Sequence, residues 1–217
     1  MANKIKFLDL TSQYKSIKNE IDIAIKRVLD SGQFIGGKEV EKFEKEIAKF
    51  CGLKYAISVN SGTDALFLSL KALGIGKGDE VITTPFTFIA TAGVIANCGA
   101  KPVFVDIDSE TFNIDTQKLE QAILAVKFDD PSLHPLPSPN SKLKTQHSKL
   151  LPKCIIPVDL FGLPADYNEI GSVAKKYGLA VVEDAAQSFG AEYNAIKSCF
   201  FGQIACTSFF PAKPLGC

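Results

Sequence analysis

An excess of charge of either sign is missing from this chain: 24 lysines and arginines face 24 aspartates and glutamates. No global field therefore draws it to nucleic acid or to an anionic membrane, and an anionic ligand has to be held by a local site. No apolar run approaches the roughly 20 residues that cross a bilayer, and the opening Met1–Lys6 has no apolar leader core, so a cytoplasmic protein is expected. Histidine occurs only twice, as His134 and His147. Both fall in the proline- and serine-rich stretch 129–152, which is expected to be a mobile surface loop with no fixed ligand geometry, so no metal or catalytic role is expected of either. The six cysteines (Cys51, Cys98, Cys154, Cys199, Cys206, Cys217) form no C-x-x-C pair and have no histidine nearby. That spacing favours reduced, buried thiols over disulfides or a metal centre. Neither G-x-G-x-x-G nor a Walker motif is present, which counts against dinucleotide or ATP binding.

What is there is an ordinary globular composition, with 46% hydrophobic and 22% charged residues over 217 positions, enough to bury a substantial core. The first fifty residues read as helical, with Ile17, Ile21, Ile25 and Val28 on one stripe and Val40, Phe43, Ile47 and Phe50 on another, broken by the glycine-bearing stretch 31–37. From Tyr55 onward short apolar runs alternate with amphipathic segments. Strands are expected at Tyr55–Val59, Glu80–Thr84, Pro102–Val105, Ile155–Val158 and Ala180–Glu183. Helices are expected at Asp64–Leu73, Ile89–Cys98, Thr116–Val126 and Asp166–Tyr177. This alternation implies an α/β fold with a mostly parallel sheet covered by helices on both faces, and a ligand beyond the carboxyl ends of its strands.

Four places on that edge carry candidate chemistry. Asn60-Ser61-Gly62-Thr63-Asp64 follows the first expected strand and opens a helix, where backbone N–H groups, a close-approach glycine and hydroxyls suit an anion. A plain helix cap by Ser61 or Thr63 fits the same residues. Phe86 and Phe88 follow the second strand, either as stacking surfaces for a planar heterocycle or as core residues. Asp184 ends Val181-Val182-Glu183-Asp184, where burying a carboxylate is costly unless a cation such as a protonated pyridine nitrogen pairs with it; it also suits a cap for the following Ala-Ala-Gln. Lys213, which composition alone allows as one more surface lysine, lies in Ser208-Phe209-Phe210-Pro211-Ala212-Lys213-Pro214. There Ser208 offers a hydroxyl for phosphate, the phenylalanines shield from water and the prolines stiffen the turn. A lysine desolvated in such a pocket keeps a neutral amine able to attack an aldehyde.

Taken together, Ser61–Leu66, Pro85–Phe88, Pro157–Gly162, Glu183–Gln187 and Ser208–Lys213 resemble the DegT-type nucleotide-sugar aminotransferases, of the aspartate aminotransferase (fold type I) group, in the family's order from about residue 7 to the end. The resemblance implies pyridoxal 5'-phosphate as cofactor. Lys213 would be its Schiff-base lysine and proton shuttle, Asp184 the partner of the pyridine nitrogen, Phe88 the ring stacked on it and Gln187 the neighbour of its ring hydroxyl. Gly62, Thr63 and Ser208 would hold the phosphate. It further implies an amino donor such as L-glutamate, a nucleotide-linked keto-sugar as acceptor, and a homodimer. Residues 1–217 then read as an incomplete large domain, with a helical segment over 1–50, an insertion at 129–152 and the family's small C-terminal domain absent. An inactive fragment or non-enzymatic binding protein of the family is the alternative. A sugar dehydratase of the same family fits less well, because those enzymes replace the lysine, typically with histidine.

Overall fold

The computed structural model describes residues 6–136 and 152–216. The chain divides into two compact units, Met1–Ser58 with Phe209–Cys217, and Val59–Ser208.

In the first unit, α1 (Leu10–Ser31) starts where the Asp9 carboxylate accepts from the Ser12 N–H, and stops at Gly32 in the left-handed region. A second helix, α2 (Lys38–Cys51), ends the same way at Gly52. Arg27 Nε meets Glu39 Oε1 at 2.7 Å, tying one helix to the other. The expected break between them is present. The stripe Ile17, Ile21 and Ile25 is amphipathic but faces outward, and α1 contains no buried residue.

The second unit holds α3 (Gly62–Ala72), β1 (Glu80–Thr83), α4 (Ile89–Asn97), β2 (Lys101–Phe104), α5 (Thr116–Phe128), β3 (Cys154–Ile156), a 3-10 turn (Leu160–Gly162), α6 (Tyr167–Tyr177), β4 (Ala180–Asp184), the hairpin β5 (Glu192–Tyr193) and β6 (Ile196–Lys197), and β7 (Ile204–Cys206). Five strands form one sheet in the order β2-β1-β3-β4-β7, and every pairing in it is parallel. Strand period sorts the core. Ile82, Val103, Ile155 and Val181 point to one face, where Leu119 and Ile123 of α5 and Ile170 of α6 cover them. Their neighbours Val81, Cys154, Ile156 and Val182 point to the other, under Leu66 and Leu70 of α3 and Val94 and Ile95 of α4. Each such fully buried aliphatic side chain contributes roughly 1.5–3 kcal/mol relative to an exposed one.

Two expectations change. Tyr55–Val59 is irregular chain: a strand requires a partner for its backbone, whereas the Ser58 N–H is taken by the Glu44 carboxylate at 2.6 Å and the side chains of Tyr55 and Ile57 stand exposed. The edge strand β7 had no expectation at all, because Ile-Ala-Cys is too short and too weakly β-branched to register as a strand. Of the stretch 129–152, Asp129 caps α5 in the left-handed region and a turn follows, while 137–151, including His147, lie outside the described residues. The topology turns back between β1 and β3, so the carboxyl edge opens there.

Candidate active site

Asp184 is placed by β4 and by the chain leaving β3. Its backbone N–H donates to Pro157 O at 3.0 Å, and its carbonyl accepts from the Asp159 N–H at 3.1 Å, which extends the parallel ladder past the last regular residue of β3. The carboxylate is only 5% exposed. One oxygen accepts from Thr91 Oγ1 at 2.8 Å, and Thr91 Oγ1 lies 2.9 Å from Thr87 Oγ1. The other accepts a long bond from the Ala186 N–H at 3.3 Å. The capping alternative therefore survives only as a turn, since residues 185–190 form no helix.

Thr91 lies on the first turn of α4, and Phe88 is the residue that caps that helix. The Thr91 N–H donates to Phe88 O at 3.2 Å, so Phe88 and the threonine that bonds Asp184 stand at opposite ends of one helical turn. Phe86 and Phe88 are both exposed, 45% and 66%, which rules out the core reading for either. Gln187 is half-buried; its Oε1 accepts from the Phe161 N–H at 2.7 Å, leaving its amide N–H groups as the donors available to a ligand oxygen.

Gly62 opens α3, and Ser61 Oγ caps that helix by accepting from the Asp64 N–H at 3.0 Å. The cap reading holds: it uses the Asp64 N–H, and the N–H groups of Gly62 and Thr63 lie at the helix start. A Cβ built on Gly62 would lie 3.1 Å from Ser208 Cβ, so glycine is what lets the helix start approach the chain leaving β7. That chain is held to the Asp184 turn by Thr207 Oγ1, which donates to Ala185 O at 3.1 Å, and by the Ala185 N–H, which donates to Cys206 O at 2.8 Å. Gly62, Thr63, Phe88, Asp184, Gln187 and Ser208 thus all belong to the second unit and to the carboxyl edge of its sheet.

Lys213 belongs to the first unit. It is half-buried on a tight turn in which its N–H donates to Phe210 O at 2.7 Å, and Gly216 closes the turn so closely that a Cβ there would lie 2.7 Å from Pro211 O. Phe209 packs edge-on against Phe43, with ring centroids 5.2 Å apart, whereas Phe210 is 65% exposed.

A family model described as the DegT/DnrJ/EryC1/StrS aminotransferase family matches residues 15–217. This chain belongs to that family. Among relatives of this family member, the UDP-2-acetamido-2-deoxy-3-oxo-D-glucuronate aminotransferase of Pseudomonas aeruginosa is 49% identical over 98% of the chain and 52% of its own length. A DegT DnrJ EryC1 StrS aminotransferase from Brucella abortus superposes with a TM-score of 0.88 at 42% identity, over 99% of this chain and 52% of that one. NtdA from Bacillus subtilis, solved with bound cofactor PMP, superposes with a TM-score of 0.77 at 31% identity, over the whole chain and 43% of its own. The chain spans about half the length of the curated relatives it matches.

Several polar residues around Asp184 carried no expectation from the sequence. Thr91 was the clearest: its hydroxyl donates to the Asp184 carboxylate and lies 2.9 Å from that of Thr87, just ahead of the helix. The buried carboxyls of Asp159 and Glu183, each wholly inaccessible, were signalled by acids inside the apolar runs Pro-Val-Asp-Leu and Val-Val-Glu. The five described cysteines are buried free thiols, and burial raises the thiol pKa of Cys154 and of Cys206 to about 12. His134 Nε2 lies 2.7 Å from Phe104 O. Among the described residues no group of His, Cys, Asp and Glu is arranged to hold a metal ion, and no helix is long and apolar enough to cross a membrane.

Proposed function

We propose that this chain carries the pyridoxal 5'-phosphate site of an aminotransferase that moves an amino group from an amino-acid donor, L-glutamate, to a nucleotide-linked keto-sugar, for polysaccharide or modified-sugar synthesis. The observation that carries the proposal is Asp184: a carboxylate buried at a strand end with a hydroxyl on one oxygen, on the same edge as the close approach of Gly62 to Ser208. A buried acid next to an anion cradle fits a ligand with a cationic ring nitrogen at one end and a phosphate at the other. The PMP bound by NtdA and the nucleotide-sugar substrate named for the Pseudomonas relative support the same reading.

In this reading Gly62, Thr63 and Ser208 hold the phosphate, Phe88 covers the ring, Gln187 donates to the ring hydroxyl and Asp184 keeps the ring nitrogen protonated. The chemistry that pyridoxal phosphate supplies when bound is an electron sink for the carbon that loses a proton. Lys213 Nζ would anchor the cofactor covalently, and its amine would take up and return the proton of the reacting carbon in each half of the reaction. Residues 1–217 form the large-domain part of the enzyme, which works as a cytoplasmic homodimer. Neither nucleic acid nor membrane is a partner, given the balanced charge.

Mixing the purified chain with pyridoxal phosphate is expected to produce a visible absorbance band that the Lys213→Ala variant lacks. A band that persists unchanged in the variant removes Lys213 from the mechanism, and no band in either protein contradicts the proposal.

A further inference from the structure

Which end of the Gln187 amide is left for a ligand is decided by another segment of the chain. The Phe161 N–H is a donor, so only the carbonyl end of that amide can meet it, and the 2.7 Å bond to Oε1 takes the oxygen and leaves the nitrogen. Phe161 stands in the left-handed region, at φ 55° and ψ 19°, a conformation rare for a bulky side chain and kept only where the surroundings fix it. Gly162 follows at φ 90°, and a Cβ built on it would lie 3.4 Å from Gln187 O, so the turn lies directly against the segment that carries Gln187.

Asn113 supplies the fixing. It is buried, and its side-chain amide spans the 3-10 turn: Oδ1 accepts from the Leu160 N–H at 3.1 Å, and Nδ2 donates to Leu163 O at 2.9 Å. The Leu163 N–H donates to Leu160 O at 3.1 Å, so all three bonds join the ends of the loop that has Phe161 inside it. Asn113 itself comes from a tight fold of the chain between β2 and α5. There Ile107 bridges Ile114, the Asp108 N–H donates to Asn113 O at 2.9 Å, and the Asp115 N–H donates to Asp106 O at 3.0 Å. Ile114, the next residue, is buried in the core, which anchors the Asn113 backbone. On the outside the ring of Phe161 meets those of Phe112 and Phe86, with centroids 6.4 and 6.2 Å apart. All three rings are exposed, so the stronger hold on the turn is the buried amide.

We propose that Asn113 is a positioning residue of the pyridoxal phosphate site: its clamp on Leu160 and Leu163 keeps the Phe161 N–H on Gln187 Oε1, which leaves the Gln187 amide N–H groups, and not its oxygen, for the cofactor's ring hydroxyl. The inference rests on the reading of Gln187 as the neighbour of that hydroxyl. The orientation matters because the ring hydroxyl ionises: a donor facing it stabilises the oxyanion, whereas an amide oxygen facing it repels the charge. Without the clamp Phe161 relaxes out of the left-handed region, its N–H leaves Oε1, and the Gln187 amide is no longer held in one orientation.

The test compares pyridoxal phosphate with its analogue that lacks the ring hydroxyl, each titrated by absorbance into the full chain. The reading, for the wild type, Asn113→Leu, Gln187→Ala and the double variant, is the ratio of the analogue's dissociation constant to that of pyridoxal phosphate. Asn113→Leu is expected to lower this ratio about tenfold, the scale of one hydrogen bond to a charged group, while the analogue itself binds within about threefold of the wild type. Gln187→Ala is expected to do the same, and the double variant to lose no more than Gln187→Ala alone, because two residues that act through one contact do not add. If circular dichroism shows Asn113→Leu unfolded, Asn113→Asp takes its place: it keeps the acceptor for the Leu160 N–H and loses the donor to Leu163 O, and the same selective loss is expected. An equal effect on the two compounds in the Asn113 variant, no effect, or additive losses in the double variant overturns the inference while leaving the cofactor reading in place. A Gln187→Ala chain that weakens both compounds equally overturns the role of Gln187 and this inference with it. Absence of pyridoxal phosphate binding by the wild type overturns the cofactor reading itself.

Discussion

At the scale of single residues, Asp184 and Thr91 set the site's electrostatics. A hydroxyl donated to a buried carboxylate is a hydrogen bond to charge, worth roughly 1.5–3 kcal/mol when its donor is removed. Thr91→Val keeps the shape and loses the donor, and is expected to weaken pyridoxal phosphate binding about tenfold or more; Thr91→Ser, which keeps the hydroxyl, is expected to stay within about threefold. An absorbance titration of each variant checks the pair of outcomes. Asp184 itself was legible because an acid ending an apolar strand run is conspicuous in text. Thr91 was not, since its partner lies 93 positions away and only the packing of α4 against the sheet brings the two together. Gln187 was legible as a site residue, but not the bond from the Phe161 N–H, which depends on a left-handed backbone at Phe161.

At the scale of elements, periodicity located every helix, four of the five sheet strands and the parallel arrangement. It failed where pairing or covering decides the outcome. Tyr55–Val59 has strand composition but hands a backbone donor to Glu44, and Ile204–Cys206 became a strand by pairing with β4. The hairpin of β5 and β6 was invisible because its two-residue turn, Asn194-Ala195, places an alanine in the left-handed region where glycine usually signals the motif. Apolar stripes also proved unequal: Ile155 is fully buried between helices on a central strand, whereas Ile17 on α1 is 41% exposed. Ile155→Ala is expected to destabilise the chain by about 2–5 kcal/mol, and Ile17→Ala by less than about 0.5 kcal/mol, in urea unfolding monitored by circular dichroism.

At the scale of the whole molecule, the buried carboxyl of Glu183 links stability to pH. Glu183 has a folded pKa of about 8 against an ordinary value of 4.5, so between those values the folded chain holds a proton that the unfolded chain has released. The stability this group contributes is therefore full below about pH 4.5 and falls as pH rises through about 8, with a slope of at most about 1.4 kcal/mol per pH unit for one proton. The surface acids Asp106 and Asp108 are shifted the other way, by Lys118 and by the Thr111 N–H respectively, and their contribution is lost only at acid pH. Thermal midpoints are accordingly expected to decline from pH 5.5 to pH 8, more steeply in the wild type than in Glu183→Gln.

The role proposed for Lys213 is that of covalent anchor for pyridoxal phosphate. It is tested most directly by borohydride reduction of the chain mixed with pyridoxal phosphate, followed by peptide mass spectrometry. A single stable pyridoxyl adduct on Lys213 is expected, lost when Asp184 is replaced by alanine. An adduct spread over surface lysines, or one on another lysine with Lys213 unmodified, would contradict it.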